Sequence, residues 1–311
     1  MKTIAIFLAI AFSASAWAAE PADSMPRRPQ AAGSRFTVNA DLSVRPGGDY
    51  YITKDDETVE QGSTGSFTKA SVRASYAVYT KGTTRITTAL RYAHLHQHFR
   101  SDERLVDYGF ATAAHHQFAA NVMGMTRQQL WGKPLVLVGM ASVDFSQYGY
   151  ERWTAMATAM LMLKQTRQTQ FGIGLLGMVN TFSKIPVFAI FTYRHVFSPQ
   201  WTLNLTLPKF QMEYRPSKAD MIALGAGIDA DSYYIRPGSE DLPENVRYSR
   251  SNINIGPTYE HRFAGGFTLT AEAGAQVIMT DRIYRHSSSQ ELATMHEKAQ
   301  PYCRISLQKG F

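Results

Sequence analysis

Three histidines at alternate positions, His94, His96 and His98, with His115 and His116 shortly after them, form the densest set of metal-capable side chains in the sequence. Successive side chains of an extended strand point to opposite faces, so H-x-H-x-H puts three imidazoles on one side, as a metal site requires. Ile86, Leu90 and Tyr92 share that parity. The imidazoles therefore sit above an apolar face as polar rim residues, and no metal is assigned. His115 and His116 with Asp144 and Ser146 have the types that activate a nucleophile or a water. Their spacing matches no catalytic motif. With no P-loop, zinc knuckle, dinucleotide fingerprint or EF-hand, the chain is read as a non-enzyme without cofactor.

A larger charged set has a different logic. Asp41, Lys69, Arg73, Arg85, Arg91, Glu213, Arg215, Glu272 and Arg304 all fall on the polar phase of alternating segments, six cations against three carboxylates. Charges on one face of a closed sheet line a bore. They serve either as a salt-bridged interior that satisfies buried groups or as a mildly anion-selective constriction. Neighbouring strands suggest the pairs Asp41 with Arg73 and Arg304 with Glu272, and closure brings Asp41 and Arg304 onto adjacent strands.

The elements that must carry these residues are strands. Phe36, Val38, Ala40 and Leu42 alternate with Thr37, Asn39 and Asp41; Trp201, Leu203 and Leu205 alternate with Thr202 and Asn204. Period-2 alternation gives one apolar and one polar face. The last residues repeat it: Cys303, Ile305 and Leu307 alternate with Arg304 and Ser306 before Phe311. Short breaks such as 81–83 and 263–266 alternate with longer polar ones at 44–66, 100–110, 236–245 and 285–299. Fourteen strands are expected, beginning near residues 35, 67, 84, 112, 135, 153, 170, 186, 200, 209, 220, 246, 267 and 300. If Pro208 marks a bulge rather than a turn, the count is twelve. The segment 246–260 changes phase, which predicts a bulge.

Compartment follows from both ends. Lys2, the apolar run Ile4 to Phe12 and Ala16-Trp17-Ala18 read as a cleavable signal peptide over residues 1–18. Residues 19–34 read as a flexible periplasmic lead-in and 35–311 as the barrel. Only 18% of residues are charged, against 16 Tyr and 17 Phe, which suits strands that alternate lipid-facing and lumen-facing residues. One cysteine, Cys303, excludes an intramolecular disulfide. The net charge of +7 is spread along the chain. Export makes a nucleic-acid partner improbable, and anionic lipopolysaccharide is the better counterpart. Tyr76, Tyr79 and Trp201 read as one interfacial girdle; Tyr148, Tyr150, Trp153, Tyr233 and Tyr234 read as the other.

The terminal strand ending in Phe311 resembles the C-terminal assembly signal of bacterial outer-membrane β-barrels. The signal peptide, the alternating strands and the turn Phe197-Ser-Pro-Gln-Trp201 running into Leu205-Thr-Leu-Pro208 complete the pattern. The whole resembles a family of Gram-negative outer-membrane β-barrel proteins of unknown function. That resemblance implies an outer-membrane location and engagement of the barrel-assembly machinery through Phe311; it carries over no site residues.

The strands from 135 to 195 are apolar or small on both faces, with Val136, Met140, Met156, Met162, Leu176 and Met178 among the expected inward set. Such a wall suits either an apolar ligand or a packed plugging segment. The sequence reads as a transmembrane antiparallel barrel that passes a small solute. The alternatives are a structural or receptor-like barrel with a filled lumen and, behind it, a rim enzyme.

Overall fold

The computed structural model describes residues 35–54, 57–100, 114–180, 187–235, 246–285 and 290–311. The signal-peptide and lead-in expectations, and much of the longer breaks, lie outside them. Sixteen strands follow in chain order: β1 Phe36–Arg45, β2 Asp49–Lys54, β3 Glu57–Lys81, β4 Thr84–Arg100, β5 Ala114–Leu130, β6 Lys133–Ser146, β7 Gly149–Gln165 and β8 Thr169–Asn180. After them come β9 Val187–Val196, β10 Trp201–Thr206, β11 Lys209–Tyr214, β12 Asp220–Ile235, β13 Val246–Arg262, β14 Phe267–Arg285, β15 Glu291–Glu297 and β16 Gln300–Gly310.

Each strand pairs antiparallel with its neighbours, and β1 closes the ring by pairing with both β16 and β3. Fourteen strands make the circuit, because β2 and β15 are not additional staves. Above Arg45 and Gln300 they take the places of β1 and β16 between the longer β3 and β14, and they pair with each other. Leu207 and Pro208 form the turn between β10 and β11, so fourteen holds and twelve does not. Phe311 donates its N–H to the Phe36 carbonyl at 2.8 Å, and the two rings lie 5.7 Å apart at the end that carries both described termini. We call this the near end.

The longer polar breaks at 44–66 and 285–299 are not loops throughout. They contain β2, the first third of β3, and β15. Polar residues and Gly47-Gly48 hid the strands because this stretch of wall presents few apolar side chains to its outer side.

The alternation works as expected in the near half. Val72, Leu90, Val122, Ile173, Leu175, Ile222, Leu224, Ile255, Val277, Ile305 and Leu307 stand exposed on the outward face. A soluble protein seldom leaves so wide an apolar surface uncovered, whereas a membrane barrel needs it. Tyr76, Tyr79 and Trp201 are exposed, as are Tyr150 and Trp153.

The far half is built differently. On β12, Ile222 and Leu224 are 46% and 65% exposed, yet Ala230 and Tyr234 on the same side of the strand are only 4% exposed. β13 repeats the pattern: Ile255 and Tyr259 are exposed, while Ser251 and Arg247 on that side are buried. The far halves of these strands therefore leave the outer surface and turn into the bore. Glycines make the bend. Gly225, Gly256 and Gly274 are neighbours on β12, β13 and β14, and a Cβ at each would come within 2.0–2.2 Å of the adjacent strand's backbone oxygen. No larger residue fits a wall folded that sharply.

The outcome is a barrel within a barrel. β12, β13, β14, β15, β2, β3, β4 and β5 are joined by seven ladders, and β12 then touches β5 directly. Eight strands enclose a space that side chains fill. Here Tyr50, Ile52, Ala93, Leu95, Tyr233, Val246, Tyr248, Ile283, Ala293 and Met295 fill it, with Ile52, Val246 and Ile283 at 0% exposure. The bore is thus plugged at its far half. Tyr233 and Tyr234, expected in a lipid-facing girdle, are instead buried, because the bend carries them inside.

The phase change in 246–260 has the same origin. Ile253 and Ile255 follow the lipid-facing phase, and Val246 and Tyr248 follow the plug-facing one. The ladder is irregular at Ser251/Asn252, as expected, but the unpaired residue is Met279 of β14.

Candidate functional site

Below the plug lies a cavity of about 120 Å³, lined on one side by Lys69, Ser71, Arg73 and Arg91 and on the other by Gly225, Gly227 and Gly256. Asp41, Arg304, Glu272, Lys209 and Asp229 complete its charged lining. Of the residues expected to line the bore, Asp41, Lys69, Arg73, Arg91, Glu272 and Arg304 thus meet around one space. Glu213 is buried lower down, where Asn204, Gln211 and Arg215 donate to it at 3.4, 2.9 and 3.0 Å. Arg85 stands exposed near the start of β4, outside the cavity.

Pairing differs from the sequence expectation. Asp41 accepts from Arg304 at 2.8 Å, the pair that barrel closure brings together, and also from Ser306. Its opposite number on β3 is Ser71, whereas Arg73 stands opposite Asn39. Glu272 stands across from Arg304 on β16 but bonds Lys209, three strands away. Lys69 reaches across the bore to Asp231 of β12. Pairing by strand adjacency could not find these contacts, because the inward bend of β12 shortens the distance across the lumen.

A second ionic group underlies the plug. Arg250 bonds both Asp281 and Glu297, and Glu297 also accepts from Arg45 at 2.5 Å. All four side chains are at most 5% exposed. Two buried cations and two buried carboxylates neutralise one another, the condition for keeping charge out of water. Neither Arg45 nor Arg250 stood out in the sequence. The usable signal was the parity reversal on β4, where apolar residues switch faces between Leu90 and Leu95.

The seam between β12 and β5 has no ladder. Gln117 Nε2 donates to the Ser232 carbonyl, His115 stacks on Tyr233 at 5.0 Å, and the Tyr233 hydroxyl donates to Gln97 at 3.3 Å. Beyond the seam, Met140, Met156 and Met178 are cross-strand neighbours on the inner faces of β6, β7 and β8 and are all buried.

The remaining constellations disperse. His115 points inward, while His116 lies outside, 2.8 Å from the Tyr92 hydroxyl and with its ring 4.9 Å from His94. Asp144 is bonded to Arg152 at 2.7 Å, and Ser146 donates to Glu151. His116 thus lies on the opposite face from His115, and Asp144 and Ser146 are each bonded to other side chains. His94 and His96 share the outer face, with their rings 6.5 Å apart. No metal-capable group of three or more His, Cys, Asp or Glu forms among the described residues.

No protein-family model matches the chain, and no curated protein sequence does. Solved structures similar to it include an outer membrane channel from Pseudomonas putida F1, at 10% identity and TM-score 0.47, covering 92% of this chain and 99% of that one. The toluene transporter TodX of P. putida is similar at 8% identity and TM-score 0.40, with 91% of each chain covered. The translocator domain of the autotransporter NalP from Neisseria meningitidis is similar at 9% identity and TM-score 0.37, with 90% of each covered.

Proposed function

We propose that the chain is an outer-membrane β-barrel that passes a small solute, and that the β5–β12 seam holds its bore shut in the state described. The outward apolar band around the fourteen-stranded ring supports the membrane setting. Export by residues 1–18, insertion through the strand ending at Phe311 and an anionic lipopolysaccharide surround belong to the same proposal.

The seam carries the reading. Every other junction around the inner eight-stranded barrel is a main-chain ladder, and in lipid a broken ladder leaves N–H and C=O groups with nothing to bond. Parting β12 from β5 breaks side-chain ties, among them Gln117 to Ser232, Tyr233 to His115 and Gln97, and Lys69 to Asp231, and no ladder between the two strands. A barrel with a purely structural role needs no such weak line. Six further strands, β6 to β11, enclose space beside the inner barrel, and the charged cavity lies directly beneath the plug. The refolded protein in planar bilayers should show discrete conductance steps with long closed intervals. A barrel that folds and inserts yet stays silent at all voltages would remove the conduit reading and leave the filled-barrel alternative.

One observation favours a second reading. β10 and β11 are six residues each, about 20 Å of strand against an apolar band about 25 Å tall. Their turn therefore ends within the membrane thickness, where Pro208 borders the cavity. An apolar solute would leave sideways there, and uptake of such a solute without ionic conductance is the result that distinguishes this route.

A further inference from the structure

The wall has a gap that neither the plug nor the seam requires. The ladder of β14 with β16 ends at Gln276, and the ladder of β14 with β15 begins only at Arg282. Among the described residues, Ile278, Met279 and Thr280 therefore have no ladder partner on that side. On the opposite rim, Met295, His296 and Glu297 pair with Ile52, Tyr51 and Tyr50 of β2 and not with β14. Between the two edges lies a cavity of about 670 Å³, which both of them line. Small-molecule sites have about this size, roughly 300–1,000 Å³.

The lining has a particular chemistry. Tyr51, 45% exposed, and His296 stand side by side with ring centroids 4.6 Å apart and planes 12° from parallel. His296 Nε2 lies 3.0 Å from the Thr53 hydroxyl, which fixes the imidazole. Gln61, Thr280 and Thr294 add neutral polar groups. The charges are already paired: Arg282 with Glu291 at 2.8 Å, Lys298 with Asp49 at 4.0 Å, and Asp281 and Glu297 with Arg250. What the cavity offers is thus aromatic surface, hydroxyls and two main-chain edges rather than free charge.

Its height matters as much. Val277 is ten residues beyond Phe267 on β14, about 33 Å of strand and, at the usual barrel tilt, about 25 Å of height. An apolar band is about that tall, and Val277 and Met279 are the last exposed apolar residues of β14. The gap therefore opens at the far rim of the membrane. Lipid tails cannot bond unpaired N–H and C=O groups, so the occupant is polar.

We infer that this gap binds a saccharide, the sugar headgroup of an outer-leaflet glycolipid. A pyranose ring has an apolar face that packs on a flat aromatic side chain, and hydroxyls that both donate and accept. The Tyr51–His296 pair takes the first, and the edges of β14 and β15 take the second. Acyl chains then run down the outer wall along Val277 and Met279. The site lies outside the bore and does not depend on conduction. The rival account is that water alone fills the cavity and satisfies its edges.

The test uses the full-length barrel, refolded in detergent micelles free of glycolipid, and calorimetric titration. The probes are purified lipopolysaccharide and the same saccharide stripped of its acyl chains. The wild type should bind both saturably, and the intact glycolipid at least tenfold more tightly, because its chains add contacts along the wall. Tyr51→Ala/His296→Ala should weaken binding of the stripped saccharide at least tenfold. Tyr150→Ala, which removes an exposed aromatic of β7, should leave it unchanged. If the double variant does not fold, Tyr51→Leu, which keeps apolar bulk but loses the flat ring, should show the weakening instead. The site is overturned by any of four results: no saturable binding, binding of the glycolipid without the saccharide, affinity retained in the Tyr51 variants, or affinity lost equally in Tyr150→Ala. Equal affinity for the two probes keeps the saccharide site and assigns it to a free sugar rather than to the membrane's own lipid.

Discussion

Tyr233 of β12 lies against His115 of β5, ring centroids 5.0 Å apart and planes 29° apart, across the one junction of the inner barrel that no ladder closes. Tyr233 also packs on Tyr248 at 4.5 Å and so ties the seam to the apolar plug. One residue thus links two features: the plug gives the far half its stability, and the seam determines where that half can part.

The plug should dominate stability. Ile283 is fully buried among Tyr50, Val246, Tyr248 and Met295, and deleting such a side chain typically costs about 2–5 kcal/mol. Ile283→Ala should lower the unfolding free energy in detergent by that order. Ile173→Ala, on the outward face, should change it far less. Equal losses would mean that the far half contributes nothing special.

Arg250 should be less replaceable than its surroundings suggest. Removing it leaves Asp281 and Glu297 facing each other without the cation they share, and breaking a buried pair from one side costs about 3–5 kcal/mol. Arg250→Met, close in volume, should therefore destabilise strongly in chemical unfolding. A variant within experimental error of the wild type would show that this network is hydrated.

The glycine row should be intolerant where it bends the wall. A Cβ at Gly256 would sit 2.0 Å from the Ala273 carbonyl oxygen, whereas one at Gly139 meets nothing within 4 Å. Gly256→Val should reduce the yield of heat-modifiable folded barrel by an order of magnitude, and Gly139→Val should leave it intact. Normal folding of Gly256→Val would mean that the far half of β13 is not held inside the bore.

Orientation is open to labelling. With Cys303→Ser as background, Gln147→Cys in the far-end turn should react with an impermeant thiol reagent on intact cells. Lys218→Cys in a near-end turn should react only after the outer membrane is permeabilised. The opposite pattern would invert the barrel.

The ring itself was legible in the sequence because lipid on one side and polar lumen on the other impose strict alternation. Strand starts at 84, 209, 220, 246, 267 and 300 match the structure. The far half was not read correctly, because the same alternation persists there with its faces exchanged. Tyr233 and Tyr234 look like girdle residues to any rule that counts aromatics near strand ends, and only the bend at Gly225 carries them inside. The phase change from Ile255 to Val246 predicts the irregular ladder found at Ser251/Asn252, but a bulge alone does not announce a plug. Read as an exchange of apolar faces, it marks the start of the plug. The contacts Lys69–Asp231 and Lys209–Glu272 depend on how far the wall folds inward, which no local pattern encodes.

The account stands or falls on the seam. Gln117→Cys and Ser232→Cys, in the Cys303→Ser background, place one thiol on each side of the junction bridged by Gln117 Nε2 and the Ser232 carbonyl. A short bifunctional thiol reagent that a reductant can cleave would join them, and single-channel currents would be recorded before joining, after joining and after cleavage. The account predicts conductance steps before, silence while β5 and β12 are joined, and recovery on cleavage. Unchanged currents through the joined barrel would contradict it, because the solute would then pass without the seam opening.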